Sequence, residues 1–247
     1  MKKIFLLLTI AFASLTANAQ VVIPRQDIHY NVNYRWGIVD VNIAKGKVTV
    51  ESNGSWFSGT LDGTSIPWEG KIICVSDTLQ ANMSYADGRI SERVDYQNGW
   101  YRHVPVSLFN SGRYNPDESA YFKNIAGGGE YDASHDSMEA ITVTSDMLGM
   151  YYFAHALNFP GFKPGDRFVI PIEGPYSREV VITYDGQGVY TADGVTYPTY
   201  NCTFEYSYGG RMSGFPVECR ISATDRIPVF LSASLPVGHV EMLYTPY

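Results

Sequence analysis

The sequence predicts a mainly β protein, a curved antiparallel sheet forming an open or partial barrel with one central helix over about 145–158. Three observations carry that expectation. Apolar and polar residues alternate in segments on both sides of the chain's middle. Turn-forming pairs such as Asn53-Gly54 and Asp193-Gly194 separate those segments. One stretch, Ser145 to Asn158, has neither alternation nor any turn signal apart from Gly149. Composition agrees: 19 Tyr in a chain that is 14% aromatic and 17% charged favours pleated sheet, where rings pack well. At 45% hydrophobic the chain is not disordered.

The first element is a leader rather than part of the fold. Met1-Lys2-Lys3 precedes an apolar run from Ile4 to Ala13, and Ala17-Asn18-Ala19 before Gln20 has the small-x-small form of a cleavage site. Residues 1–19 therefore read as a signal peptide, removed on export, and 20–247 as a single β-rich domain. The apolar run is shorter than the ~20 residues a membrane span needs, so no transmembrane segment is expected after cleavage. Loss of the two leader lysines takes the formal net charge from −7 to −9. An acidic exported chain lacks the basic footprint of a nucleic-acid binder.

The strands follow in order. Tyr30, Val32, Tyr34 and Trp36 alternate with polar residues, as do Val48 and Val50. Val180, Ile182 and Tyr184 resume the pattern, with Val181 breaking the polar side. Then come Cys202 to Tyr208, Val217 to Ile221, Val229 to Leu235, and Val240 to Tyr244. Period two places one side of each strand in a core. Further reversals are expected at Asp87-Gly88, Asn98-Gly99, Pro164-Gly165, Asp185-Gly186 and Gly209-Gly210. In the helical stretch, Ser145 suits an N-cap and Asp146 the positive helix end. Leu148, Tyr151, Tyr152 and His155 share a face at i, i+3, i+4 and i+7.

The chemistry-bearing residues are few. Cys202 and Cys219 are equidistant from Gly210-Arg211, so a two-residue turn there would oppose them on neighbouring strands. They read either as a cross-strand disulfide or as two buried thiols. Cys74 reads as core. Asp132, His135, Asp136 and Glu139 crowd one polar stretch without the spacing of a calcium loop. No cofactor or metal is expected. No nucleophile elbow, phosphate loop or dinucleotide fingerprint occurs in the sequence. Trp36, Trp56, Trp68 and Trp100 could stack on a sugar, or could pack the core and barrel rim. Asp77-Thr78-Leu79 and Asp136-Ser137-Met138 fit an acidic–hydroxyl–aliphatic acceptor sequence, which makes Thr78 and Ser137 candidate O-glycosylation sites.

Several segments resemble, in order, a bacterial exported family, domain of unknown function 3108. They are Tyr30-x-Val32-x-Tyr34-x-Trp36-Gly37-Ile38, then Cys74-Val75-Ser76-Asp77-Thr78-Leu79, then Asp146-x-Leu148-x-x-Tyr151-Tyr152-x-x-His155, and Lys163-Pro164-Gly165-Asp166. Ile221-Ser222-x-x-Asp225-x-x-x-Pro228-Val229 and Leu235-Pro236-Val237-Gly238 complete the series. The resemblance implies a curved antiparallel sheet with a helix and implies no activity. The chain has Gly149 and His155 where that family often has Ser and Arg. If the Arg makes an ion pair inside the fold, His155 replaces it only when protonated.

Three function classes follow. The leading one is non-catalytic periplasmic binding of a hydrophobic or envelope-derived ligand, in a concave face lined by Leu148, Met150, Tyr152, Phe153 and His155. The alternative is a structural or interaction protein of the cell envelope, using a strand edge or the loop at Gly127–Gly129. The third is an enzyme acting on envelope polymers through Asp132, His135, Asp136 and Glu139.

Overall fold

The computed structural model describes residues 21–66, 76–86, 89–101, 104–114, 120–126, 129–132, 148–171, 179–208, 211–212 and 214–246. The leader at 1–19 lies outside them, as do Trp68, Cys74, His135, Asp136, Ser137, Glu139, Ser145 and Asp146.

Alternating residues form two runs of antiparallel strands. The first contains β1 (Val22–Trp36), β2 (Val39–Asn53), β3 (Trp56–Ser65), β4 (Ser76–Ala86), β5 (Arg89–Tyr101), β6 (Val104–Tyr114), β7 (Ala120–Ala126) and β8 (Gly129–Asp132). Helix α1 (Gly149–Ala156) and a short 3-10 turn (Phe159–Gly161) follow. The second run contains β9 (Arg167–Pro171), β10 (Glu179–Ala192), β11 (Val195–Tyr208), β12 (Arg211–Met212), β13 (Val217–Ser222), β14 (Pro228–Ser234) and β15 (His239–Tyr244).

Each strand of the first run pairs with its sequence neighbour, from β8 back to β1. The second run continues the same sheet as β15-β14-β13-β11-β10-β9, with β12 a two-residue flap on β11. The runs join where the first strand meets the last, in register from Tyr30↔Tyr244 to Arg35↔His239. Among the described residues β8 and β9 do not pair, so the sheet is an unclosed barrel. Helix α1 lies in the chain between those two open edges.

One face of the sheet carries the core. Tyr184, Cys202, Cys219, Leu231 and Met242 form a single row across β10, β11, β13, β14 and β15 by direct pairing. Val48, Leu61 and Leu79 form a corresponding row across β2, β3 and β4. Two clusters of buried side chains occupy this face. Phe153, Ala154 and Leu157 of the helix region belong to the one over β10, β11 and β13. Leu148 and Tyr151 belong to the one over β1 to β4. The helix thus bridges both halves of the sheet, and this double burial stabilises so short a segment where propensity alone does not.

The structure differs from the sequence reading at five points. The helix ends at Ala156, because Leu157 is already extended (ψ 130°) and Pro160 lies in the first turn of the 3-10 segment. Its N-cap is Leu148, without a side-chain cap. Asn98-Gly99 is strand, not turn: the two residues pair with Ser107 and Val106 inside the β5–β6 ladder. Asp185-Gly186 is a bulge inside β10, where the register slips between Tyr184 and Gly186 and Gly186 takes φ +119°. Finally, Arg211 is strand rather than turn, because it pairs with Tyr208. Cys202 nevertheless faces Cys219 across β11 and β13, as the spacing predicts.

Candidate functional site

The site is an apolar cavity of about 130 Å³ between α1 and the core face of the sheet. Val48, Leu61 and Leu79 form one wall. Cys202, Cys219, Leu231 and Met242 form the other, and Leu148, Met150, Phe153 and Ala154 form the roof. Seating the roof depends on Gly59 of β3. A Cβ there would lie 3.1 Å from Leu148 Cβ and 3.2 Å from the Phe57 ring. A side chain at 59 would require Leu148 or the Phe57 ring to give by a few tenths of an ångström.

One polar chain reaches the cavity. Tyr151 Oη donates to Tyr30 Oη at 3.3 Å, and Tyr30 Oη donates to the Pro228 carbonyl at 2.7 Å. Tyr151 and Pro228 both line the cavity. Burial pushes both phenols above their usual range, so they remain neutral donors. Each hydroxyl proton is thus committed within the protein.

Of the helix residues singled out from sequence, Leu148, Met150 and Phe153 line the cavity. Tyr152 and His155 do not. Tyr152 turns toward β3, edge-on to Phe57 with centroids 6.0 Å apart. The His155 Nδ1 proton is donated to the Tyr151 carbonyl at 2.8 Å, one turn back. Burial is the main influence lowering its pKa; the Arg226 charge acts the same way, against the Tyr151 and Asp225 backbone. His155 is therefore neutral at pH 7, not a protonated stand-in for an arginine. Arg226 donates to the Leu157 carbonyl at 3.4 Å, just past the helix, and lies over the Tyr200 and Phe159 rings at 4.8 and 5.3 Å. Sequence reading missed Tyr151, Ala154 and Leu157 as lining residues, because α1 is apolar on nearly every side and its periodicity selects no single face.

Cys202 and Cys219 are not bridged in the structure, and both are wholly buried. Burial pushes the Cys202 thiol up to about 12 and the Cys219 thiol well above its usual range. Neither is an activated nucleophile.

Among the described residues the other candidates do not share a site. Trp36 and Trp56 lie at opposite ends of β2, near its first and last pairings, so they form no common stacking platform. Trp100 lies in β5. Asp132 ends β8, whereas His135, Asp136 and Glu139 are outside the described residues. Thr78 lies in β4, and its hydroxyl donates to Asp62 at 2.8 Å. Ser137 is outside the described residues. Among the described residues no group of three or more His, Cys, Asp or Glu could hold a metal ion. No helix among them is long and apolar enough to cross a membrane.

Fold and cavity together define an open, β-barrel-like protein with an internal helix and an apolar interior space. The solved structure of a beta-barrel-like protein of domain of unknown function DUF1849 from Brucella abortus has this fold, with a TM-score of 0.59 over 91% of this chain and 98% of that one. The two are 9% identical, so the likeness is one of architecture. No family model matches the chain, and no curated protein matches it in sequence.

Proposed function

We propose that this chain is an exported, non-catalytic binding protein whose cavity receives a compact apolar molecule or the end of an apolar chain. The observation that carries the reading is the apolar cavity of about 130 Å³ under α1. Apolar cavities of about 150 Å³ engineered elsewhere stay dry and bind benzene or xenon, whereas drug-sized sites span about 300–1,000 Å³. The space therefore suits a small ring or a few methylenes, not a whole acyl chain. The leader-like residues 1–19 and the ordered resemblance to domain of unknown function 3108 support export.

Benzene titrated into the purified protein, read as a thermal shift, tests this. A saturable rise in Tm is expected, and Ala154→Leu, which fills the cavity roof, should abolish it while leaving the circular dichroism spectrum unchanged. No shift with benzene or with larger rings overturns the reading.

A second reading, docking of an envelope protein, rests on a separate patch. Ile38 is fully exposed and Trp36 59% exposed at the β1–β2 turn. Leu235 and Val237 are exposed at the β14–β15 turn, and Tyr34 Oη, donating to the Val237 carbonyl at 3.1 Å, joins the two turns. A polypeptide co-purifying through this corner, with no benzene response, selects the second reading.

A further inference from the structure

We propose that Cys202 and Cys219 form a cross-strand disulfide, acquired while the sheet assembles, that ties β11 to β13 in the wall of the cavity. The inference stands independently of what the cavity binds. The two residues are direct partners in the β11–β13 register. Directly opposed residues of an antiparallel pair have Cα atoms about 4.5 or 5.5 Å apart, depending on the hydrogen-bond pattern, and both values lie within the span of about 4.4–6.8 Å that a disulfide bridges. The side chains also share a direction. Both are wholly buried on the core face, and both border the same cavity. Neighbouring rows leave that arrangement intact, since Thr203↔Glu218 and Asn201↔Arg220 continue the register on either side.

The chemistry requires an external oxidant, a small-molecule disulfide or a dithiol–disulfide oxidoreductase. One protein thiolate attacks a sulfur of that disulfide, forms a mixed disulfide and releases one thiolate. The second protein thiolate then attacks the protein-side sulfur, closing the Cys202–Cys219 bond and releasing the other thiolate. Two electrons pass to the oxidant, and the two protons lost from the cysteines go to the released thiolates. Timing follows from burial. In the folded protein neither sulfur reaches solvent, and both thiols are held far from ionisation at neutral pH. Exchange is therefore fast before β13 docks on β11 and slow afterwards. Once formed, the bond should resist reductants for the same reason.

The test refolds reduced, denatured full-length chain in a glutathione redox buffer, quenches with an alkylating agent under denaturing conditions, and maps the peptides. The expected product carries one alkyl group, at Cys74, and is otherwise two hydrogens lighter than the reduced chain, with a linked Cys202–Cys219 peptide. Folded, reduced protein placed in the same buffer should gain the bond at least tenfold more slowly. Protein trapped with alkylating agent directly from exporting cells gives a second measurement that does not depend on refolding, and it should show the same linkage. Alkylation of both Cys202 and Cys219 in each preparation, or a bond from either one to Cys74, overturns the proposal.

Discussion

At the scale of single residues, His155 shows how burial decides protonation. Its imidazole is lowered from the ordinary value of about 6.5, chiefly because burial disfavours the cation. Between the folded value and about 6.5 the unfolded chain holds more protons than the folded one. Stability therefore rises with pH across that window, is complete above it, and declines as pH falls. His155→Gln removes this titration. The difference in Tm between the variant and the native chain should shift in the variant's favour from about pH 8 to about pH 5. An unchanged difference at the two pH values contradicts the assignment. The sequence places His155 on the apolar face of the helix, one turn from Tyr151, where a hydrogen-bonded core histidine is a commoner outcome than a ligand or base, and the structure agrees.

At the scale of elements, the docking of α1 on β3 is the contact most open to test. Gly59→Ala places a methyl group 3.1 Å from Leu148 Cβ and 3.2 Å from the Phe57 ring, so the packing of Leu148 and Phe57 on β3 must give by a few tenths of an ångström. Overpacking of this kind costs about 1–3 kcal/mol. Gly46→Ala in the adjacent strand is the control, because its Cβ would meet nothing closer than 3.8 Å. Urea melts should show Gly59→Ala clearly destabilised and Gly46→Ala near native. Equal effects would remove the close approach as the determinant of helix position. Elements were legible in sequence to the extent that one physical signal had one structural use. Alternation on Val217, Cys219 and Ile221 allows only a strand with one buried face, and that strand is present. An Asp-Gly pair reports only a need for unusual backbone angles. At Asp193-Gly194 the pair makes a turn, whereas at Asp185-Gly186 it makes a bulge that bends β10. Asn98-Gly99 misled because a ladder on both sides of β5 outweighs the turn preference of two residues.

At the scale of the whole molecule, the chain order explains the architecture. Two antiparallel meanders flank one helix, and pairing of β1 with β15 joins them into a continuous sheet that, among the described residues, ends on β8 and β9. Local patterns contain no record of the β1–β15 pairing, which joins residues more than two hundred positions apart. That pairing nevertheless brings the row through Cys202, Cys219 and Leu231 under the same helix as Val48 and Leu61, and the cavity exists because the two rows are not filled between them. The cavity's small size, equally invisible in sequence, narrows a broad expectation of hydrophobic binding to compact apolar groups.

The interior space under α1 is apolar and sized to accept a small guest. Crystals of the protein pressurised with xenon test it most directly. The account predicts a single strong xenon site bounded by Ala154, Phe153, Cys219 and Leu231. A diffraction map with no xenon there, and side chains closed over the space, would contradict it.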